Sequence, residues 1–385
     1  GKRGKRSDLI FEFRSKEVDI GVLIQRLDQD LIPGHNNLIN EGWRLVMLTE
    51  KENYLMLLRG EQPEWVPVYT FGAPPGSKTA VPNQMVEPPI LCEFRMKGGG
   101  RDVWGVEFVP TRETGNALIP KPGDFILKDI RQWRDVIKAP DISGIDWETM
   151  IRKQMDDLNV DRSQTAIAFN MHFGYFQQLM AFMGFSEGLC AMYEEPEEVY
   201  ELFDYLCTFY CTIAEKTLPY YKPDVFVLMD DTAAWGNPFI SPQMYHDLVL
   251  PFHDRQAKFG RDLGIPITMH NCGKSECFID DWLSIGVCMW DPAQTCNDLD
   301  AVKKKYGNRL VIAGGWDARG RLAEPDVTEE EIRASVQDVM DRLAPGGGYA
   351  FCGGFLGPID DPEVQRKNAI LYRAVNEIGR SFYKN

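Results

Sequence analysis

Ile265-Pro266-Ile267-Thr268-Met269-His270-Asn271-Cys272-Gly273 reads as a short buried strand that runs out into polar side chains. In an extended chain, residues two apart face the same side. His270 and Cys272 therefore aim an imidazole and a thiol into one pocket at a strand's C-terminal end. Far downstream, Gly348-Tyr349-Ala350-Phe351-Cys352-Gly353-Gly354 reads as another buried strand ending in Cys352. Two thiolates and a neutral imidazole suit zinc, and three protein ligands leave a fourth position for substrate. The competing reading makes both cysteines small buried hydrophobes and His270 a satisfied core histidine. Spacing alone leaves the two readings open, because His-x-Cys is less specific than paired Cys-x-x-Cys knuckles.

Working outward, strands and helices alternate. Thr165–Asn170, Asp224–Asp231, and stretches near 266–271, 286–291, 309–315 and 348–353 read as buried strands. Helices are expected over about 174–192, from Pro196, from Ser241-Pro242 to about 262, after the Thr328/Glu331 capping box, and from Asp361-Pro362. Such alternation implies a parallel sheet covered by helices, and this many units favour a closed (β/α)8 TIM barrel. No GxGxxG or GxxxxGK loop follows a strand, which removes the easiest argument for a nucleotide site. The barrel domain is expected to span 47–385, opening on a helix capped by Thr49 and Glu52. Trp65–Phe71 is the expected first strand. Residues 72–125 read as an insertion that carries the second barrel strand, with Asp102–Val109 as a hairpin strand. Residues 1–46 read as an N-terminal helical extension. Its Ile20, Leu23, Ile24, Leu27 and Leu31 recur at helical spacing, suiting the barrel floor or a subunit contact such as a homodimer's.

The chain has 385 residues and a net charge of −15, from 42 basic and 57 acidic side chains. Phosphate backbones and anionic membranes repel such a chain, so neither nucleic acid nor membrane is an expected partner. Its nine cysteines follow no framework spacing, which points to reduced thiols in a cytoplasm.

In a barrel of this type the active site lies at the C-terminal ends of the strands. That rule gathers Tyr69, Phe71, Asn170, His172, Asp230, Asp231, His270, Cys272, Asp291, Asp317 and Cys352. Asp230 and Asp231 are candidates for acid/base work, for support of His270, or for helix capping. Asp291 before Pro292 and Asp317 beside Trp316 read as turn and cap residues. For His172 a structural hydrogen bond is the expected role. Phe173 and Trp235 are candidates for an apolar wall. Cys207 and Cys211, four apart amid aromatics, read as core packing.

These motifs resemble the uroporphyrinogen decarboxylase superfamily over about 47–380. The resemblance is carried most by Asp230-Asp231-Thr232-Ala233-Ala234, His270-Asn271-Cys272-Gly273 and Ala313-Gly314-Gly315-Trp316-Asp317. It implies a (β/α)8 barrel. Decarboxylases of the superfamily carry an Arg-Gln-Ala-Gly-Arg type segment that grips substrate carboxylates. Here the corresponding Tyr69-Thr70-Phe71-Gly72-Ala73-Pro74-Pro75 has no arginine. The corrinoid-dependent methyltransferase branch instead uses His-x-Cys and a distant Cys as zinc ligands, which His270, Cys272 and Cys352 match. The resemblance thus implies a zinc enzyme moving a methyl group between a small methylated substrate and cobalamin on a separate corrinoid protein. The chain has no corrinoid-binding Asp-x-His-x-x-Gly motif of its own. Demethylation of methoxylated aromatics is the expected role, with Asp231 and Asp230 assisting and Tyr69, Phe71, Asn170, His172 and Trp235 near the substrate. The alternatives are a methylcobalamin:thiol methyltransferase and a uroporphyrinogen decarboxylase.

Overall fold

The computed structural model describes residues 48–73, 77, 79–112, 116–358 and 360–384. The expected extension, residues 1–46, lies outside them. Seven strands form one parallel sheet: β1 (Asn83–Val86), β5 (Ala166–Asn170), β6 (Val225–Met229), β7 (Ile267–His270), β8 (Val287–Ala293), β9 (Val311–Gly314) and β10 (Tyr349–Ala350), neighbours in that order. Three further strands, β2 (Gly100–Arg101), β3 (Glu107–Thr111) and β4 (Ala117–Pro120), make a separate antiparallel sheet. Every residue of β5, β6, β7 and β9 is buried, as near-continuous apolar strands of a helix-covered parallel sheet must be.

The segment around Val68 closes the sheet. Tyr69 N donates to Phe351 O at 2.8 Å, Phe351 N to Pro67 O at 2.9 Å, and Met85 N to Phe71 O at 2.7 Å. It thereby joins β10 on one side to β1 on the other, as the barrel's eighth stave. The expected strand Trp65–Phe71 is reduced to a single bridge, Val68 with Phe351. Pro67 has no N–H to extend the ladder.

Alternation sorts each strand's side chains. Ala166 and Ala168 point into the barrel with Val225, Val227, Met289, Val311, Ala313 and Ala350, whereas Ile167 and Phe169 pack outward under the helices. The helix Glu50–Leu58, fixed by its Thr49/Glu52 capping box, sends Tyr54, Leu57 and Leu58 into the interior cluster and plugs the floor. Among the described residues, the opposite end, where the strands finish, is left for chemistry.

The insertion carries β1, the helix Pro89–Met96 and the β2–β3–β4 sheet. The hairpin strand lies later than expected. Asp102 accepts hydrogen bonds from Trp104 N and Val106 N, both at 2.9 Å, and Gly105 takes φ +91, so 102–106 turns instead of extending. Trp104 is thereby buried, with its Nε1 donating to Tyr210 OH at 2.9 Å. Two expected helices are each split. Gly184, at φ +83, separates Tyr175–Met183 from Phe185–Glu194, and a Cβ there would meet the Phe125 ring at 2.7 Å. Val249 separates Pro242–Leu248 from Leu250–Leu263, where Pro251 lacks the N–H that would continue the first helix.

Candidate metal and substrate site

β7 ends in His270, and β8 sets Asp291 beside it in register. His270 Nδ1 lies 2.7 Å from Asp291 Oδ2, both side chains being buried. A carboxylate on Nδ1 fixes the proton there and leaves Nε2 as the lone-pair nitrogen. Nε2 faces Cys272 Sγ at 3.7 Å. Asp231 completes the group. Its Oδ1 accepts from Cys272 N at 2.8 Å, and its Oδ2 accepts from Gln177 Nε2 at 2.8 Å. One ligand atom each from Asp231, His270 and Cys272 lies within 4.8 Å of the others.

The spacing fits zinc. Bond lengths of about 2.0 Å to nitrogen and 2.3 Å to sulfur, at a tetrahedral angle, separate the two donors by roughly 3.6 Å. The donor set and the carboxylate behind the histidine fit as well. Burial alone pulls His270 toward the neutral form, but Asp291 and then Cys272 outweigh it and hold the imidazole well above its ordinary value. Burial raises the Cys272 thiol, with His270 opposing. A cation between them would replace the proton that now mediates this attraction.

The loop holding Cys272 is rigid. Asn271 exchanges hydrogen bonds with Thr232, Trp290 Nε1 donates to Asn271 O at 2.8 Å, and Asn297 Nδ2 donates to Gly273 O at 2.9 Å. Gly273 sits at φ +82 against Ala233, whose carbonyl oxygen a Cβ would meet at 2.3 Å. No other residue fits that approach.

The remaining expected residues divide. Cys352 packs against the interior cluster, but its sulfur is outside the 4.8 Å group. Burial raises its thiol first, and Asp291 and Cys272 raise it further, so it shares their electrostatic environment. Asp230 is fully buried and accepts from Phe176 N at 2.9 Å and Gln177 N at 3.0 Å, capping the helix Tyr175–Met183 from the end of the neighbouring strand β6. Burial pushes its carboxyl up to about 7. Phe71 lies 5.6 Å from the His270 ring and edge-on to Tyr69, which is buried with an unpartnered hydroxyl. Asn170 accepts from His172 N, and His172, at φ +48, opens onto a cavity. Its ring is exposed to that cavity, and the desolvating surroundings first, then Arg95 and His270, pull its pKa down to about 3. Trp235 lies outside that cavity, at the rim, with the Arg319 guanidinium 3.6 Å over its ring.

The cavity, of about 680 Å³, runs from Asp231 past His172 and Phe173 to the insertion. Of the expected aromatic wall only Phe173 lines it, stacked on Tyr210 at 3.7 Å. The other rings are Phe94, Phe108, Phe125, Phe185 and Phe239. Asp291 corrects its reading as a turn residue, since it is a buried strand residue bonded to His270. The available signal was its position near the end of the strand next to His270's. Gln177 and Arg95 carried no such signal.

The sequence profile described as Uroporphyrinogen decarboxylase (URO-D) matches residues 172–365. The chain belongs to this family. Among solved structures, a methyltransferase from Methanosarcina mazei is similar in fold, at 15% identity and a TM-score of 0.56, over 88% of this chain and 100% of that one. A B12-independent methionine synthase from Shewanella sp. W3-18-1, in complex with selenomethionine, aligns at 12% identity with a TM-score of 0.39, over 78% of this chain and 81% of that one. No curated protein matches the chain. In this URO-D family chain the matched residues hold Asp231, His270, Cys272, Asp291 and Cys352, whereas Tyr69, Phe71, Asn170 and the insertion precede them. Among the described residues, no helix is long and apolar enough to cross a membrane.

Proposed function

We propose that this chain is a zinc-dependent methyltransferase that moves a methyl group from a methoxylated aromatic to cobalamin carried by a separate corrinoid protein. The observation that carries the reading is the Asp231–His270–Cys272 group at the edge of a 680 Å³ cavity walled by aromatic rings. His270 and Cys272 hold the ion. Asp231, which groups with them, and Cys352 after β10 are the candidates for the third ligand, and the metal content of Asp231→Asn and Cys352→Ser variants identifies it. Bound there, zinc supplies a Lewis acid with an open position that improves an ether oxygen as a leaving group.

The chain's own residues do the rest. Asp291 orients the imidazole, and Gln177 holds Asp231 beside the cavity. Phe173, backed by Tyr210, gives an aromatic ring a flat wall and keeps water from it. The methyl passes from the ether oxygen to cob(I)alamin of the partner, and the oxygen keeps the bonding pair and takes up a proton from solvent as the phenol departs. A cavity of this size exceeds what a small alkyl thiol needs, which favours the ether over the thiol-methylating alternative. Among the described residues only one arginine, Arg95, lines it, which disfavours a porphyrinogen bearing many carboxylates.

The test is a methyl-transfer assay with free cob(I)alamin against methoxyphenols, methylamines and thiols, run beside a metal determination. Zinc near one per chain and methylation of cobalamin by methoxyphenols are expected. A metal-free protein, or transfer confined to thiols, refutes the proposal.

A further inference from the structure

The cavity wall facing away from Asp231 comes from the insertion, and among the described residues one cation, Arg95, stands in it. Arg95, on the helix Pro89–Met96, lines the cavity beside its own neighbour Phe94, with the guanidinium 4.6 Å from that ring's centroid. Two of its five N–H donors are used, by Glu87 and by Leu91 O, both from Nη2. The Nε and Nη1 donors have no hydrogen-bond partner among the described residues, and they are not sealed from the cavity, since the side chain keeps 23% of its exposure. Burial lowers the guanidinium's pKa to about 10, so it remains charged at neutral pH. The nearby Asp102 carboxylate is engaged elsewhere, by Trp104 N, Val106 N and Gln178 Nε2. His172 lines the same cavity as Arg95 and Asp231.

We infer that Arg95 selects substrates that carry a carboxylate at the end of the aromatic ring remote from the methyl being transferred. The inference rests on the methyl-transfer reading for the ether end only. A charged donor in an apolar, partly desolvated cavity is unsatisfied until an acceptor arrives, and an anionic acceptor satisfies it best. Glu87 already neutralises part of the charge. It therefore acts as a competitor that a substrate carboxylate must share Arg95 with. None of this depends on the arginine-rich segment that the first stave lacks, because Arg95 comes from a different element.

The test is equilibrium binding of 4-methoxybenzoate and of its neutral isostere 4-methoxytoluene, by calorimetry and without cobalamin, so that no turnover is needed. Wild-type protein is expected to prefer the carboxylate by about tenfold or more, the worth of one charge-assisted hydrogen bond. Arg95→Met abolishes that preference while leaving affinity for the neutral probe within about twofold. Glu87→Gln, which keeps Arg95, tightens the carboxylate alone. A wild-type chain that binds both probes equally overturns the inference, as does an Arg95→Met variant that keeps the wild-type preference or a Glu87→Gln variant that gains equally for both. Binding of the carboxylate through Arg95 with no methyl transfer to cobalamin would keep this inference and sink the preceding one.

Discussion

Replacing Asp291 by Asn tests whether the His270 pair serves a metal or merely fills the barrel. Asn has the same shape, so packing inside β8 is retained, but it carries no charge. The Nδ1 to Oδ2 distance is 2.7 Å in a site where both groups are buried. A hydrogen bond to a charged partner contributes about 1.5–3 kcal/mol. Loss of a carboxylate behind a zinc-bound histidine costs about 10–100-fold in metal affinity, which is about 1.4–2.8 kcal/mol. Two independent routes therefore converge on roughly 2 kcal/mol. Competition against a chromophoric zinc chelator reads the affinity directly, and a denaturant melt of both metal-free proteins separates it from folding. A fall of at least about tenfold in zinc affinity is expected. An Asp291→Asn protein that binds zinc within twofold of the wild type would refute the argument, because His270 would then need no orienting partner.

Other perturbations follow from particular contacts. Gly273→Ala forces a Cβ toward Ala233 O at 2.3 Å, at φ +82, so zinc affinity falls and stability drops by about 1–3 kcal/mol in a urea titration. Lys367 is buried and donates to the carbonyls of Leu322, Ala323 and Glu324 at 3.1, 3.1 and 2.7 Å. Lys367→Met should cost about 1–3 kcal/mol of stability with substrate and metal affinity unchanged, read by the same melt and by chelator competition. His253 is fully buried and its pKa is pulled down to about 3 by burial. Its contribution to stability is complete above the unfolded value near 6.5 and is lost as pH falls toward 3. Asp230, whose raised pKa carries the opposite sign, lies 3.9 Å from His253 Nε2, so the quantity to measure is Asp230→Asn minus Asp230→Asn/His253→Gln. That difference should be about 2 kcal/mol smaller at pH 5 than at pH 7.

The parts of the molecule that were legible from sequence are those set by short-range pattern. Short buried runs such as Ala166–Asn170 and Val225–Met229, alternating with helical patterns, read as inner parallel strands, and the capping boxes at Thr49/Glu52 and Thr328/Glu331 mark helix starts through local hydrogen bonds. Strand-end position brought Asp231, His270 and Cys272 together without any geometry. What escaped depends on register or on side chains crossing between elements. Asp291 meets His270 because two strands align at that level, and a proline after an aspartate looks like a turn whichever way the register falls. Asp102 bends 102–106 by accepting two backbone N–H groups, which an alternating pattern of apolar residues conceals.

The two ends of the cavity differ in origin, and this has a consequence for how the protein can change. Asp231, His270, Cys272 and their supports lie on barrel strands and the turns that follow them, within the family-matched residues, where Trp290, Thr232 and Asn297 fix the backbone. Phe94, Arg95, Phe108 and Phe125 stand on the insertion, outside those residues, on a small helix, an antiparallel sheet and the segment that follows β4. A substitution on the insertion can therefore alter what fits the cavity without moving a ligand atom by the few tenths of an ångström that metal geometry tolerates. A substitution at the strand ends cannot do the reverse, because Gln177 touches the cavity and Asp231 at once. Variation in substrate should thus concentrate in residues 89–125, and variation in metal chemistry in the turns after β6 and β7, at the β8 residue behind His270 and at Cys352 after β10.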